Sequence, residues 1–205
     1  MSDETTVASQ SPLPMRSAWP AVGRCAATTA VLLARRRIHL PTEHVGMRLR
    51  SADGTSSWVY RETVVDRAAT ADPCVLVVEF RLRAVRGRGH AIFRPLSLLN
   101  TPLFVGFPGF VSKLWLAHDE TGVYRGLYEW DGPDLAVAYA RSLWRPLALV
   151  SVPGSIRYEV MPGLRRDDLL SVPAMAGRIF GGATVDDAGW PRVLAVGSGP
   201  TGSLS

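Results

Sequence analysis

Residues 74–163 carry the pattern that most limits how this chain can fold: strand, helix, strand, strand, helix, strand, with an aromatic hairpin in the middle. In the first strand, over 74–83, Cys74, Leu76, Val78, Phe80 and Leu82 alternate onto one face. Val75, Val77, Glu79, Arg81 and Arg83 take the other face and turn polar toward the end. A two-residue period of this kind marks a sheet with two different environments. The hairpin strands are 110–117 and 123–130, and a last strand spans 155–161, closed by Pro162-Gly163. One helix is expected over 93–104, broken by Pro102. The other starts near Asp131, carries an inward stripe of Leu135, Ala138, Tyr139, Ser142 and Leu143, and breaks or kinks at Pro146. The order predicts an α+β fold with an antiparallel sheet and helices on one face only. Such a sheet either pairs with a second copy or encloses a ligand.

The flanks read differently. Residues 1–18 are polar with Ser, Thr and Pro and read as disordered. A helix is expected over 20–37, opened by Pro20, because Val22, Cys25, Ala26, Thr29, Leu32 and Leu33 recur at helical spacing. Strands over 45–50 and 57–65 flank Asp53-Gly54, a hairpin turn signal. An isolated hairpin is marginal in water, so this pair needs a sheet edge or a partner. The division is thus a disordered N-terminus (1–18), a helix-and-hairpin extension (19–66), the main α+β unit (74–163) and a Gly- and Pro-rich C-terminal arm (164–205).

The formal net charge is +5, yet 22 of the 23 basic side chains are arginine and only Lys113 is lysine. This bias, with abundant Ala, Gly, Pro and Val, looks like GC-rich coding. The cations are scattered with no interleaved aromatic stripe, so no nucleic-acid partner is expected. Cys25 and Cys74 sit in apolar surroundings and read as buried free thiols of a reducing compartment. The apolar stretch 26–34 is too short to span a bilayer. The first residues include Asp3 and Glu4 and no basic region, so no membrane partner or secretory leader is expected and the expected location is cytoplasmic.

On the third strand of the unit, Tyr124, Gly126, Tyr128 and Trp130 share one face while Arg125, Leu127 and Glu129 share the other. Lys113 and Trp115 share a face of the neighbouring strand. These aromatics either fill a core or line a flat cavity whose phenol and indole donors orient a planar substrate. Gly126, between two tyrosines, leaves space or lets backbone approach. Asn100 either points into the pocket or caps the kink at Pro102. His90, in the loop over 86–90, is placed near a pocket mouth as acid, base or anchor. Tyr158 is a further pocket candidate. His118, beside Asp119 and Glu120, reads as part of a solvated turn. His39 and His44 stand five apart across Pro41 and read as structural or surface residues, not metal ligands. Glu79, Arg81, Arg157 and Glu159 read as sheet-edge ion pairs or dimer contacts.

The segment Gly109-Phe110-Val111-Ser112-Lys113-Leu114-Trp115, followed after a turn by Gly126-Leu127-Tyr128-Glu129-Trp130, resembles a mono-oxygenase-like group of the dimeric α+β barrel superfamily. That superfamily includes antibiotic-biosynthesis monooxygenases and anthrone oxygenases. In the group a Pro-Gly precedes an apolar strand carrying Lys-x-Trp, and a Gly-x-Tyr strand follows. The resemblance implies a ferredoxin-like βαββαβ sheet, a homodimer whose sheets face each other, and a pocket between sheet and helices. It also implies cofactor-free chemistry, in which an electron-rich phenolic substrate is held by Tyr, Trp, Asn and Arg and its own carbanion reacts with oxygen. Residues of those types here are Asn100, Trp115, Tyr124, Arg125 and Tyr128. A second resemblance lies in the tail. A strand from Pro191 leads into G-x-G-x-x-G at Gly197, Gly199 and Gly202, similar to the opening of flavin-dependent aromatic hydroxylases. The ribose-binding acid and second strand of a full motif do not follow, so the tail reads as a truncated fusion or its remnant.

The expectation is a homodimeric tailoring enzyme of secondary metabolism, of the antibiotic-biosynthesis type. It would carry out cofactor-independent oxygenation of an aromatic or polyketide-like intermediate, with reduced flavin as the alternative co-substrate. The expected catalytic residues are Tyr124, Tyr128, His90 and Asn100, and the expected substrate contacts are Trp115, Arg125, Trp130 and Tyr158. A non-redox cyclase or isomerase with the same pocket, and a ligand-binding accessory protein to a flavin hydroxylase, are the alternatives.

Overall fold

A computed structural model describes residues 15–51, 55–83, 97–171 and 193–197. The chain runs α1 (Met15–Ala34), β1 (Ile38–His39), β2 (Arg48–Ser51), β3 (Ser56–Val65) and β4 (Pro73–Arg81). A 3-10 helix (Ser97–Leu103) follows, then β5 (Phe110–Leu116), β6 (Val123–Asp131), α2 (Pro133–Val150), β7 (Arg157–Pro162), α3 (Arg166–Ser171) and β8 (Val193–Gly197). The four strands of the central unit lie in the order β7-β4-β6-β5, every neighbouring pair antiparallel, which is the ferredoxin-like arrangement. The N-terminal hairpin does find a sheet edge: β3 pairs with β5, and β2 pairs with β3. The outermost strand is β8, antiparallel to β2. The strand that opens the glycine-rich tail is therefore part of an antiparallel edge, unlike the parallel unit a dinucleotide motif requires. Gly199 and Gly202 lie outside the described residues.

The first face of the sheet packs Cys74, Leu76, Val78, Trp115, Tyr128, Trp130 and Tyr158 against Phe104, Ala136 and Tyr139 from the helical side. The second face is also buried. Val59, Val75, Leu114, Leu116 and Leu127 meet Leu49 and Met161, and are covered by Leu164, Leu169 and Leu170. This corrects the expectation of helices on one face only. Leu164 and, from α3, Leu169 and Leu170 cover the apolar part of the second face.

Three helix boundaries also differ. α1 begins at Met15 and contains Pro20. A proline near a helix start removes a single hydrogen bond, a cost that packing along the rest of the helix outweighs. α2 passes through Pro146 without a break and stops at Ser151. Of the segment expected as a helix over 93–104, Ser97–Leu103 is a 3-10 helix that includes Pro102, and residues 93–96 lie outside the described residues. Residues 1–14, the loop over 86–90 and most of the C-terminal arm lie outside the described residues. Among the described residues no helix is long and apolar enough to cross a membrane.

Candidate functional site

The first face, the 3-10 helix and α2 enclose a cavity of about 120 Å³. Its sheet wall holds Tyr60, Phe80, Lys113, Trp115, Tyr124 and Tyr128, and its helical wall holds Asn100, Phe104, Tyr139 and Leu147. The alternation of β6 puts Tyr124, Gly126 and Tyr128 on this wall. Gly126 does not leave empty space, because the Tyr128 ring folds back over it: a Cβ there would stand 2.6 Å from Tyr128 Cε2. Trp115 is fixed by its indole N–H, which donates to Thr63 Oγ1 at 3.0 Å. Phe104 stands edge-on to Trp115 and Tyr128, with centroids 5.3 and 6.2 Å away. Tyr124 stacks on Phe80 at 5.8 Å.

Tyr139 donates its hydroxyl to the Tyr128 oxygen at 3.2 Å. Burial raises the proton affinity of both phenols, so both hydroxyls stay protonated at neutral pH. With the Tyr139 proton spent on its oxygen, Tyr128 keeps its own O–H for whatever occupies the cavity.

The residue the sequence reading left out of the site is Lys113. It is 6% exposed, and its Nζ lies 3.3 Å from the Trp115 ring centre, 4.5 Å from Phe104 and 4.7 Å from Tyr128. Burial, and then the Arg61 guanidinium, hold the amine well below the usual lysine range. Three ring faces around Nζ also stabilise the ammonium once a proton arrives. The group is thus poised to take a proton from a cavity ligand. A signal was available in the sequence: the single lysine among 23 cations shares a strand face with Trp115.

Of the residues expected at the site, Asn100, Trp115, Tyr124 and Tyr128 line the cavity. Trp130 and Tyr158 do not. Trp130 is fully buried against Tyr139, 4.7 Å away, and Phe110, so it fills core. Tyr158 packs edge-on to Trp144 under α2. Arg125 borders the cavity, but its guanidinium belongs to the opposite face. There it donates to Glu79, to Asp119 at 2.6 Å and to Ser57 at 3.2 Å. Its guanidinium is therefore a buried cation paired on that face. His90 lies outside the described residues.

The same network corrects the reading of Glu79 and of the hairpin tip. Glu79 is buried on the central strand β4, not at a sheet edge. Asp119 is buried too, accepting from Thr121 N–H and Oγ1 and from Val123 N–H. Burial alone would push the Asp119 carboxyl up, but these hydrogen bonds and Arg125 outweigh it and hold it below the usual range. Elsewhere, His39 pairs with Asp66, and His44 with Glu62, which also meets Arg166 at 2.8 Å.

Fold and site together define an antiparallel α+β protein with an aromatic-walled cavity. No family model and no curated protein matches the chain. Among solved structures it is similar to a ferredoxin fold protein related to antibiotic biosynthesis monooxygenases from Listeria monocytogenes (13% identity, TM-score 0.39, covering 61% of this chain and 90% of that one). It is similar also to a monooxygenase-like protein from Listeria innocua (13%, 0.38, 62% and 92%). A third is a heme-degrading enzyme from Listeria monocytogenes (15%, 0.38, 60% and 95%).

Proposed function

We propose that this chain is a small-molecule enzyme that deprotonates an enolisable or phenolic aromatic substrate and lets the resulting carbanion react with dioxygen. The observation that carries the reading is the Lys113 amine, held low in proton affinity inside one aromatic cavity with the Tyr128 hydroxyl and the Asn100 side chain. Lys113 takes the proton, its charge is met by the faces of Trp115, Phe104 and Tyr128, and Tyr128 donates to the developing oxyanion. The substrate supplies the electrons. An activated CH₂ and O₂ give a peroxide, and loss of water, with its second proton drawn from the same carbon, leaves a carbonyl. No external reductant is needed for that balance.

The volume narrows the substrate. An apolar cavity of about 150 Å³ takes benzene, and about 120 Å³ is of that order, which favours single-ring substrates. A role in tailoring aromatic intermediates fits this chemistry. Oxygen uptake with single-ring phenols and cyclic β-dicarbonyls, without added metal or flavin, tests the reading. Uptake that survives Lys113→Met refutes it. Turnover under strict anaerobiosis would move the reading to a non-redox isomerase using the same base.

A further inference from the structure

We infer that Lys113 is also a nucleophile, and that the cavity selects aromatic aldehydes and ketones, which it holds as an imine on Lys113 Nζ. The inference rests on the cavity and amine of the proposed function and not on its oxygen chemistry. Its starting point is the choice of side chain. In a chain that uses arginine for 22 of 23 cations, the single lysine is buried at a cavity with an aromatic wall. Arginine matches lysine in charge and exceeds it in hydrogen bonding, but its guanidinium keeps its proton and offers no reactive lone pair. A buried cation needed only for charge would be arginine here like the rest. What lysine adds at this place is a free amine.

The geometry suits addition to a carbonyl. Phe104, Trp115 and Tyr128 hold Nζ within 3.3–4.7 Å of their ring centres, so a ring-borne carbonyl entering the cavity meets the amine against an apolar wall. The Nζ lone pair forms the C–N bond and the carbonyl oxygen becomes a hydroxyl. That hydroxyl leaves as water, carrying the two protons the amine gives up, and C=N remains. Tyr128, whose O–H is left for the cavity by the Tyr139 bond, is placed to relay the proton to the leaving oxygen. Protonation of the product gives an iminium, a cation that the same ring faces stabilise. The depressed proton affinity of the amine keeps its lone pair available at neutral pH.

The test uses 4-hydroxybenzaldehyde with sodium borohydride at pH 6.5 on the full chain, read by intact mass and peptide mapping. Lys113 and the α-amino group are the only primary amines in the sequence, so the map has two places to look. The expected result is one saturable reduced adduct on Lys113. It should form roughly a hundredfold faster than on a free lysine side chain, whose ordinary pKa of about 10.4 leaves it almost wholly protonated. Lys113→Arg should abolish the adduct, and Leu147→Trp, which fills the cavity, should slow it about tenfold while leaving α-amino labelling unchanged. An adduct confined to the α-amino group overturns the inference. So does Lys113 labelling that rises linearly with probe at the rate of the free side chain, and the wild-type map decides this even if a variant fails to fold. Oxygen uptake without a trapped imine removes the imine and leaves the base. A trapped imine without oxygen uptake does the reverse.

Discussion

Lys113 and Tyr128 face the same cavity with opposite needs, one to lose a proton easily and the other to keep it. Burial serves both, because a low dielectric disfavours the charged form of either group. Two predictions follow from that single cause. Lys113→Met keeps the apolar stem and removes the amine, so catalysis should fall by about 10²–10⁴ while the fold becomes more stable. Each tenfold drop in the amine's proton affinity costs about 1.4 kcal/mol at neutral pH, and methionine removes that cost. The sign with pH is definite. Between the depressed folded value and the ordinary unfolded one, the unfolded chain binds the extra proton, so wild-type stability rises with pH across that window. Urea melts from pH 6 to 10 should show that slope in the wild type and a flatter one in the variant. Tyr128→Phe leaves the Tyr139 hydroxyl without its acceptor and the cavity without its donor. It should cost about 1–2 kcal/mol of stability and about 10² in kcat, read in paired melts and rate assays. Periodicity was enough to place Tyr128 on the cavity wall. It put Lys113 beside Trp115, but an alternation pattern counts a lysine as polar and does not reveal that Phe104, just after the short 3-10 helix, will cover it.

Among the elements, the β5–β6 hairpin shows how a turn is tied to the strands behind it. Asp119 closes the turn through Thr121 and Val123 and also meets Arg125 two strand positions on, which in turn meets Glu79 of β4. Without Asp119, Arg125 keeps Glu79 but loses a charge-assisted hydrogen bond and the turn loses its acceptor, so Asp119→Ala should cost about 1.5–3 kcal/mol. The Asp119 carboxyl is held low in the fold. Its contribution is therefore present above the unfolded value and lost as pH falls through the folded one. Acid unfolding of Asp119→Asn should lack that part of the titration. At the helical layer, Gly106 lets the chain pass against α1: a Cβ there would overlap the Cys25 carbonyl oxygen. Gly106→Ala should force α1 outward and lower stability by about 1–3 kcal/mol, measured by thermal melting. The strands were legible because their two-residue period survives in any tertiary setting. Glu120 and Thr121 of the turn are exposed as expected, but Asp119 is buried because the turn folds its own N–H groups and Arg125 of β6 around the carboxylate. The proline effects were misread because packing along α1 and α2 outweighs a missing hydrogen bond.

For the whole molecule, the main question is what covers the second face of the sheet. A ferredoxin-like sheet with that face bare has to find a second copy, and the resemblance noted in the sequence implies such a dimer. In this chain Leu169 and Leu170 of α3, with Leu164 before it, sit on Val75, Leu114 and Leu127 and close the face from within. Arg166 anchors the helix to Glu62, itself buried on β3. That closure was not legible in the sequence, because six helical residues among glycines and prolines carry too little periodicity to announce a helix, and their role depends on where the chain returns after β7. A face already filled by its own chain has little apolar area to offer another copy, so face-to-face pairing would require α3 to leave. Sedimentation equilibrium at micromolar concentration should therefore give the single-chain mass, 22.2 kDa. Changing Leu169 and Leu170 together to Asp should uncover the face, costing several kcal/mol by loss of roughly 1.5–3 kcal/mol of burial per leucine, and drive self-association. A wild-type mass of twice the single chain, unaltered by this double change, would mean that copies join through some other surface and that α3 has no part in setting the assembly.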